Sequence, residues 1–261
     1  MTPLTTSRIG KKIITIPDRM ESKMPLTTGR IGKKIIIIPA RMHSRRFPGK
    51  PMAEVKPGIP LVRWVYHRAL KAAVSHVVVA TPDREIARYC QESGMVWRPT
   101  RPDHFTGTHR CAEVLQHFKK DIPISTVMNW QVDEPLVDIV DINKLLKANH
   151  TIATLVSRKD PGQLLDRNVT KTAFSEESRR CHWFSRAEMR GAWNHTGVYT
   201  FDPGILEILG GMEPTLYSEA ESLEQLAWIE NGHAVYGVEM DKTPQSVDTP
   251  EDLEIVKGLI E

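Results

Sequence analysis

Arg41, Arg45, Arg46 and Lys50 follow closely on Ile35-Ile36-Ile37-Ile38, four β-branched apolar residues in a row. Such a run reads as a strand buried on both faces, the kind found at the centre of a parallel sheet. The basic segment is broken by Pro39, Pro48 and Gly49, so it reads as a loop at the strand's carboxyl end, where open α/β sheets bind ligands. Arginine forks match phosphate oxygens in pairs, and a lysine adds a mobile point charge. The chemistry indicated is phosphate binding; a solvated basic loop on an ordinary core strand is the competing reading. Asp133 follows an apolar strand in Trp130-Gln131-Val132-Asp133-Glu134-Pro135, and Asp248 stands in Ser246-Val247-Asp248-Thr249-Pro250-Glu251-Asp252. An aspartate at a strand end is placed to hold Mg²⁺ against a bound polyphosphate. Asp248 precedes what resembles a capping box of Thr249 and Asp252 with proline at the first helical position, and is free to reach a metal. A turn or capping acid is the alternative at Asp133.

Three further constellations gain meaning only together. Arg101-Pro102-Asp103-His104-Phe105-Thr106-Gly107-Thr108-His109-Arg110 is a polar loop leading into a helix. Its glycine and hydroxyls would let backbone approach a nucleotide base, with a plain turn and cap as the alternative. His195 and Tyr199 sit four apart in a short strand and point to one face. Glu221, Glu224 and Gln225 share one region of a helix. Neither G-x-x-x-x-G-K-[ST] nor G-x-G-x-x-G occurs, which argues against a P-loop or a dinucleotide fold.

The elements that must position these residues alternate along the chain. Strands are expected near Ile35–Ile38, Val77–Ala80, Ser125–Val132, Ile152–Val156, Trp183–Arg186 and Gly197–Phe201. Helices are expected over Pro60–Ala73, Pro82–Ser93, Thr108–Phe118, Asp141–Asn149, Glu219–Asn231 and Thr249–Leu259. That order implies an α/β fold whose mostly parallel sheet is flanked by helices. The chain has 261 residues, with 35 basic and 32 acidic side chains giving a net charge of +3. So small an excess is not that of a dedicated nucleic-acid binder, and the apolar runs are too short for a membrane span. Cys90, Cys111 and Cys181 are few and widely spaced, indicating neither a disulfide framework nor a zinc site. A cytoplasmic protein is the default expectation. Pro3–Met20 recurs almost unchanged at Pro25–Met42, differing at Ser7/Gly29, Thr15/Ile37 and Asp18/Ala40. The first copy lacks the Arg46–Lys50 half and Met24 precedes the second. Residues 1–23 are therefore expected to be a dispensable extension, with an added edge strand as the alternative, and 24–261 to be one domain with a small subregion near 157–200.

The segments Ile36…Pro39-Ala40-Arg41…Arg46-Phe47-Pro48-Gly49-Lys50-Pro51, Asp103–Thr108, Asn129–Pro135, Phe184-Ser185-Arg186-Ala187, His195–Tyr199, Leu223–Leu226 and Val247–Leu253 resemble, in order, the 3-deoxy-manno-octulosonate cytidylyltransferases (CMP-Kdo synthetases). The resemblance runs from about Lys33 to the C-terminus. It implies a nucleotide-diphospho-sugar transferase (Rossmann-like) fold and a Mg²⁺-dependent reaction of CTP with Kdo, a 2-keto sugar acid, giving CMP-Kdo and pyrophosphate. In the matching positions Arg41, Arg46 and Lys50 would hold the triphosphate, and Pro39, Ala40, Asp103, Thr106 and Gly107 would surround the nucleotide. Asp133 and Asp248 would bind Mg²⁺; Gln131, His195, Tyr199, Glu221 and Gln225 would contact the sugar. The family's dimer contact lies in the region near 157–200, which makes a homodimer an implied partner. A CMP-sialic-acid-like or amino-Kdo cytidylyltransferase and a nucleotide-binding pseudoenzyme are the alternatives. Four departures stand out: Val132 replaces a glycine, Ala227 an arginine and Pro82 an aspartate, and the segment after Ala187 is shorter and lacks its Ile-Pro. Val132 is expected to crowd the substrate or to force a different backbone beside Asp133.

Overall fold

The computed structural model describes residues 32–44, 46–158 and 166–260, all within the unit Ile31–Glu261. Arg45 and the first copy of the N-terminal repeat lie outside the described residues, so the reading of 1–23 as an extension does too. In chain order the strands are β1 (Lys33–Pro39), β2 (Glu54–Lys56), β3 (Ile59–Pro60), β4 (His76–Thr81), β5 (Trp97–Pro99), β6 (Ile124–Trp130), β7 (Ile152–Ser157), β8 (Lys171–Phe174), β9 (Arg180–Ser185), β10 (Trp193–Phe201) and β11 (Val235–Glu239). The helices are α1 (Leu61–Ala69), α2 (Arg84–Glu92), α3 (Gly107–Lys119), α4 (Ile139–Lys147), α5 (Pro203–Leu209), α6 (Leu216–Glu221), α7 (Glu224–Glu230) and α8 (Pro250–Leu259).

Nine strands form one sheet in the order β5-β4-β1-β6-β10-β7-β11-β9-β8. The isoleucine run explains where β1 lies. Ile36 and Ile38 pack into one core with Val62, Val65 and Ile142, while Ile35 and Ile37 pack into the other with Cys111, Leu115 and Phe201. All four are fully buried, each stabilising the fold by about 1.5–3 kcal/mol. Alternation along the strand sends successive side chains to opposite faces, so only a central strand can satisfy this run.

The pairing is parallel for β4–β5, β1–β4, β1–β6 and β7–β11. It is antiparallel wherever β10, β8 or β9 joins: β10 against β6, β7 and β8, and β9 against β8 and β11. The expected parallel sheet therefore holds for part of the molecule. The β8–β9 pair leads into β10 without a helix between the strands, and antiparallel strands need no such crossover.

Local differences have local causes. Pro82 precedes the N-cap Asp83 of α2 and does not take the first helical position. The helix expected over Glu219–Asn231 is two, because Ser222 adopts φ 54°, ψ 46° between α6 and α7, the left-handed conformation that ends a helix. The expected capping box at Thr249 and Asp252 is present, with Pro250 inside the first turn of α8. No helix among the described residues is long and apolar enough to cross a membrane.

Candidate active site

The carboxyl ends of β1 and β6 open into a cleft of about 1380 Å³. Every site residue expected from the sequence lines it: Pro39, Ala40, Arg41, Arg46 and Lys50; Asp103, Thr106 and Gly107; Gln131 and Asp133; His195 and Tyr199; Glu221, Gln225 and Asp248.

At one end the loop after β1 is tied down by main-chain bonds. Ala40 N–H donates to the Ala80 carbonyl at 2.9 Å and Gly49 N–H to that of Met42 at 2.9 Å. Met42 N–H donates to Asp83 Oδ2 at 2.8 Å, so the acid beside Pro82 anchors the loop. Gly49, at φ 76°, supplies the left-handed residue that turns the chain into Lys50. Lys50 Nζ then lies 2.8 Å from Asp133 Oδ2, 3.9 Å from Asp248 Oδ1 and 3.0 Å from the Val247 carbonyl. Arg46 bridges Asp248 at 2.8 Å and Asn168 Oδ1 at 3.0 Å. The two acids meet because Val247 N–H donates to the Asp133 carbonyl at 2.9 Å. Burial raises the Asp248 carboxyl above its ordinary range, and the charge of Asp133 raises it further against Arg46 and Lys50.

Val132 does not crowd this end. Its side chain is 4% exposed and packs in the core that contains Trp130, Val137, Val198 and Val247. The only described non-glycine residues with positive φ are Arg179 and Ser222, so position 132 makes no demand for glycine. Val132 lines the cleft beside Asp133, but little of its side chain is exposed there, most of it packing in the core.

The loop before α3 reaches the end of β1 through Gly107. A Cβ there would stand 3.1 Å from Pro39 Cγ and 3.4 Å from Asn129 Nδ2, closer than side chains comfortably approach. Asp103 is at the exposed rim, paired with Arg101 at 2.5 Å, and the hydrogen bond from that guanidinium lowers its carboxyl pKa.

A further wall of the cleft is buried and polar. Gln225 is 3% exposed and His195 9%. Burial pulls the His195 imidazole down to about 3, with the Arg186 charge adding to the effect, so the ring is neutral near pH 7. Tyr199 is fully buried. Its ring lies 5.3 Å from His195 and 5.1 Å from Trp228, so it backs the imidazole as much as it faces the cleft. Glu221 accepts from Ser185 Oγ and Arg186 N–H, both at 2.9 Å. Among the described residues His195 Nε2 and Gln225 Nε2 are buried without a hydrogen-bond partner. Thr196 Oγ1, Glu134 Oε2 and Glu224 Oε2 of the cleft lining are also unpaired; buried polar atoms are usually paired, so these orphans mark positions that a polar ligand would complete.

Glu134, Arg110 and Arg186 also line the cleft and were not singled out as site residues from the sequence. Glu134 is buried, and its carboxyl is raised to about 8 by burial and then by the neighbouring Asp133 charge. Burial lowers the pKa of both guanidiniums; Arg41 adds to the effect at Arg110 and Arg46 at Arg186. Arg186 belongs to the Phe184-Ser185-Arg186 motif, which is a signal for it; Arg110 closes the polar segment Arg101–Arg110 and sits one turn into α3.

A cationic loop at the strand ends, an acidic pair beside it and a buried polar wall in the same cleft are what a nucleotidyltransferase on the nucleotide-diphospho-sugar transferase fold requires. A solved structure described as CMP:2-keto-3-deoxy-manno-octonic acid synthetase complexed with CTP superposes with a TM-score of 0.78 at 31% identity, covering 87% of this chain and 98% of that one. The family model for Cytidylyltransferase matches residues 35–240. The 3-deoxy-manno-octulosonate cytidylyltransferase of Geobacter metallireducens is 37% identical over 239 residues, 82% of this chain and 92% of that protein. The Vibrio cholerae protein of the same description is 32% identical over 241 residues, 83% of this chain and 93% of the relative. The chain belongs to the cytidylyltransferase family and, within it, to the 3-deoxy-manno-octulosonate cytidylyltransferases.

Proposed function

We propose that the protein couples CTP to 3-deoxy-manno-octulosonate, releasing pyrophosphate and CMP-Kdo, with Mg²⁺ held by Asp133 and Asp248. One observation carries the reading: a single cleft is lined by the basic loop, the acid pair and the unpaired polar atoms of His195 and Gln225. A triphosphate suits the basic loop and acids, and a hydroxyl-rich acid the polar wall.

The acid pair fits a divalent cation. Asp133 and Asp248 converge on one ammonium, and each otherwise faces the other's charge. Among the described residues no cluster of three or more His, Cys, Asp or Glu side chains is arranged to hold a metal. Two carboxylates suit Mg²⁺, a hard cation that prefers oxygen ligands. Bound there, the ion would neutralise phosphate charge as a Lewis acid.

This chain's own residues supply the rest. Arg41, Arg46 and Lys50 hold the triphosphate and offset charge developing on the α-phosphate as its bond to the β-phosphate breaks. Pro39, Ala40, Asp103, Thr106 and Gly107 surround the nucleoside. Gln131, His195, Tyr199, Glu221 and Gln225 orient the sugar acid so that its anomeric hydroxyl meets the α-phosphorus. Neutral His195 is suited to accept a hydrogen bond from a sugar hydroxyl through Nε2. No covalent enzyme intermediate forms; positioning and charge stabilisation carry the rate. We read the protein as cytoplasmic, in keeping with three free, buried cysteines, and as a homodimer.

Pyrophosphate release from CTP, measured with Kdo, amino-Kdo and sialic acid, tests the proposal. Release with Kdo is the expected result. Release with another acid reassigns the sugar, and CTP binding without release under any acid refutes the enzymatic reading.

A further inference from the structure

β10 does not run straight through the site. His195 opposes Val156 of β7 while Tyr199 opposes Thr154, so four residues of β10 span two of β7. Four residues of regular strand would separate the side chains by about 13 Å; the bulge brings the two rings to 5.3 Å. A bulge leaves main-chain groups outside the ladder, and here side chains from the turn after β6 and from within β7 meet them. Gly197 N–H donates to Glu134 Oε1 at 2.8 Å. Thr154 Oγ1 donates to the Val198 carbonyl at 2.8 Å, with the Thr196 carbonyl at 3.3 Å. Glu134 is itself fixed, because Trp130 Nε1–H donates to its carbonyl at 2.9 Å. Gly197 also leaves room for a neighbour: a Cβ there would meet the Gln131 side chain at 3.2 Å.

We propose that Glu134 and Thr154 are positioning residues for the acceptor sugar acid: together they clamp the β10 bulge that sets His195, Tyr199 and Gln131 on one wall. This rests on the sugar-acid reading of that wall. Glu134 acts through Gly197, one step removed from substrate, while its neighbour Asp133 faces the phosphate end. The clamp therefore tunes acceptor binding and leaves CTP binding alone.

The test is steady-state kinetics on Glu134→Ala, Glu134→Gln and Thr154→Val, with KM measured separately for Kdo and CTP. Glu134→Ala and Thr154→Val each raise KM for Kdo about tenfold, the scale of one buried hydrogen bond, with KM for CTP unchanged. Glu134→Gln keeps an oxygen for Gly197 N–H and restores KM for Kdo towards wild type. Because both groups hold one bulge, the double variant Glu134→Ala/Thr154→Val costs less than the product of the single effects. Lower thermal stability with both KM values unchanged overturns the inference, as does a Glu134→Ala effect on KM for CTP alone. A wild-type protein that turns over no sugar acid overturns the functional reading and this inference with it; wild-type turnover with unaltered variants overturns the inference alone.

Discussion

Replacing Val132 with glycine, the residue of the resembling family, separates a crowded active site from a packed core. The Val132 side chain is 4% exposed within the core around Trp130, Val137, Val198 and Val247, and its backbone lies outside the left-handed region. Glycine therefore relieves no clash and no strain. It removes three buried carbons, a loss of about 2.4 kcal/mol at about 0.8 kcal/mol each. Greater freedom of the unfolded chain adds about 0.4–1 kcal/mol, for a total near 3 kcal/mol. Urea unfolding followed by tryptophan fluorescence reads this directly. With a slope of about 3 kcal/mol per molar urea, the midpoint falls by about 1 M. Turnover of the folded fraction does not rise. An unchanged midpoint together with faster pyrophosphate release would refute the reasoning, because it would place the side chain against substrate.

Three further expectations follow from the charged end and from His195. Asp133→Ala leaves Lys50 with Asp248 and the Val247 carbonyl, so the fold survives, while pyrophosphate release drops at least about 10²-fold, the scale for one lost charge-stabilising group; an intact rate would remove Asp133 from the metal site. Lys50→Met frees both carboxylates from their ammonium, so Mn²⁺ binding without CTP, read by electron paramagnetic resonance, tightens about tenfold while turnover falls; unchanged Mn²⁺ affinity would show that Lys50 does not compete for the acids. His195 has a folded pKa of about 3 against an ordinary 6.5, so below pH 6.5 the unfolded chain takes up a proton that the folded one refuses, and stability falls with pH until about 3. From pH 7 to 5 this costs the wild type about 2 kcal/mol relative to His195→Phe. Comparing the two proteins cancels Glu134, whose raised pKa of about 8 gives the opposite slope; parallel pH profiles would show that His195 is not buried in neutral form.

The parts of this molecule readable from sequence are those in which one short segment carries its own instruction. Ile35–Ile38 demands burial on both faces, and the Thr249-Pro250-Glu251-Asp252 box caps its own helix. What stayed hidden depends on partners far away in the chain. β8 was missed because Lys171 is fully buried there, its ammonium donating to the Arg186 carbonyl at 3.0 Å, so its sequence does not look like core. β11 and the antiparallel run of β10 answer to sheet neighbours. The break at Ser222 is a backbone choice that no hydrophobic period records.

The site divides along the same line. The basic loop and each acid were visible as types, but nothing local says that Lys50 lies between Asp133 and Asp248, residues 83 and 198 positions away. That meeting rests on one main-chain bond, Val247 N–H to the Asp133 carbonyl. The polar wall rests on the Glu134 and Thr154 contacts to β10. Asp133 and Glu134 are adjacent, so one turn after β6 governs two parts of the cleft: Asp133 meets Lys50 of the basic loop, and Glu134 holds the strand that carries His195; on the proposed function these are the phosphate and sugar sides. A displacement of that turn moves donor and acceptor together, which is the requirement for bringing an anomeric hydroxyl onto an α-phosphorus, where misplacement by about 1 Å costs about 10²-fold in rate.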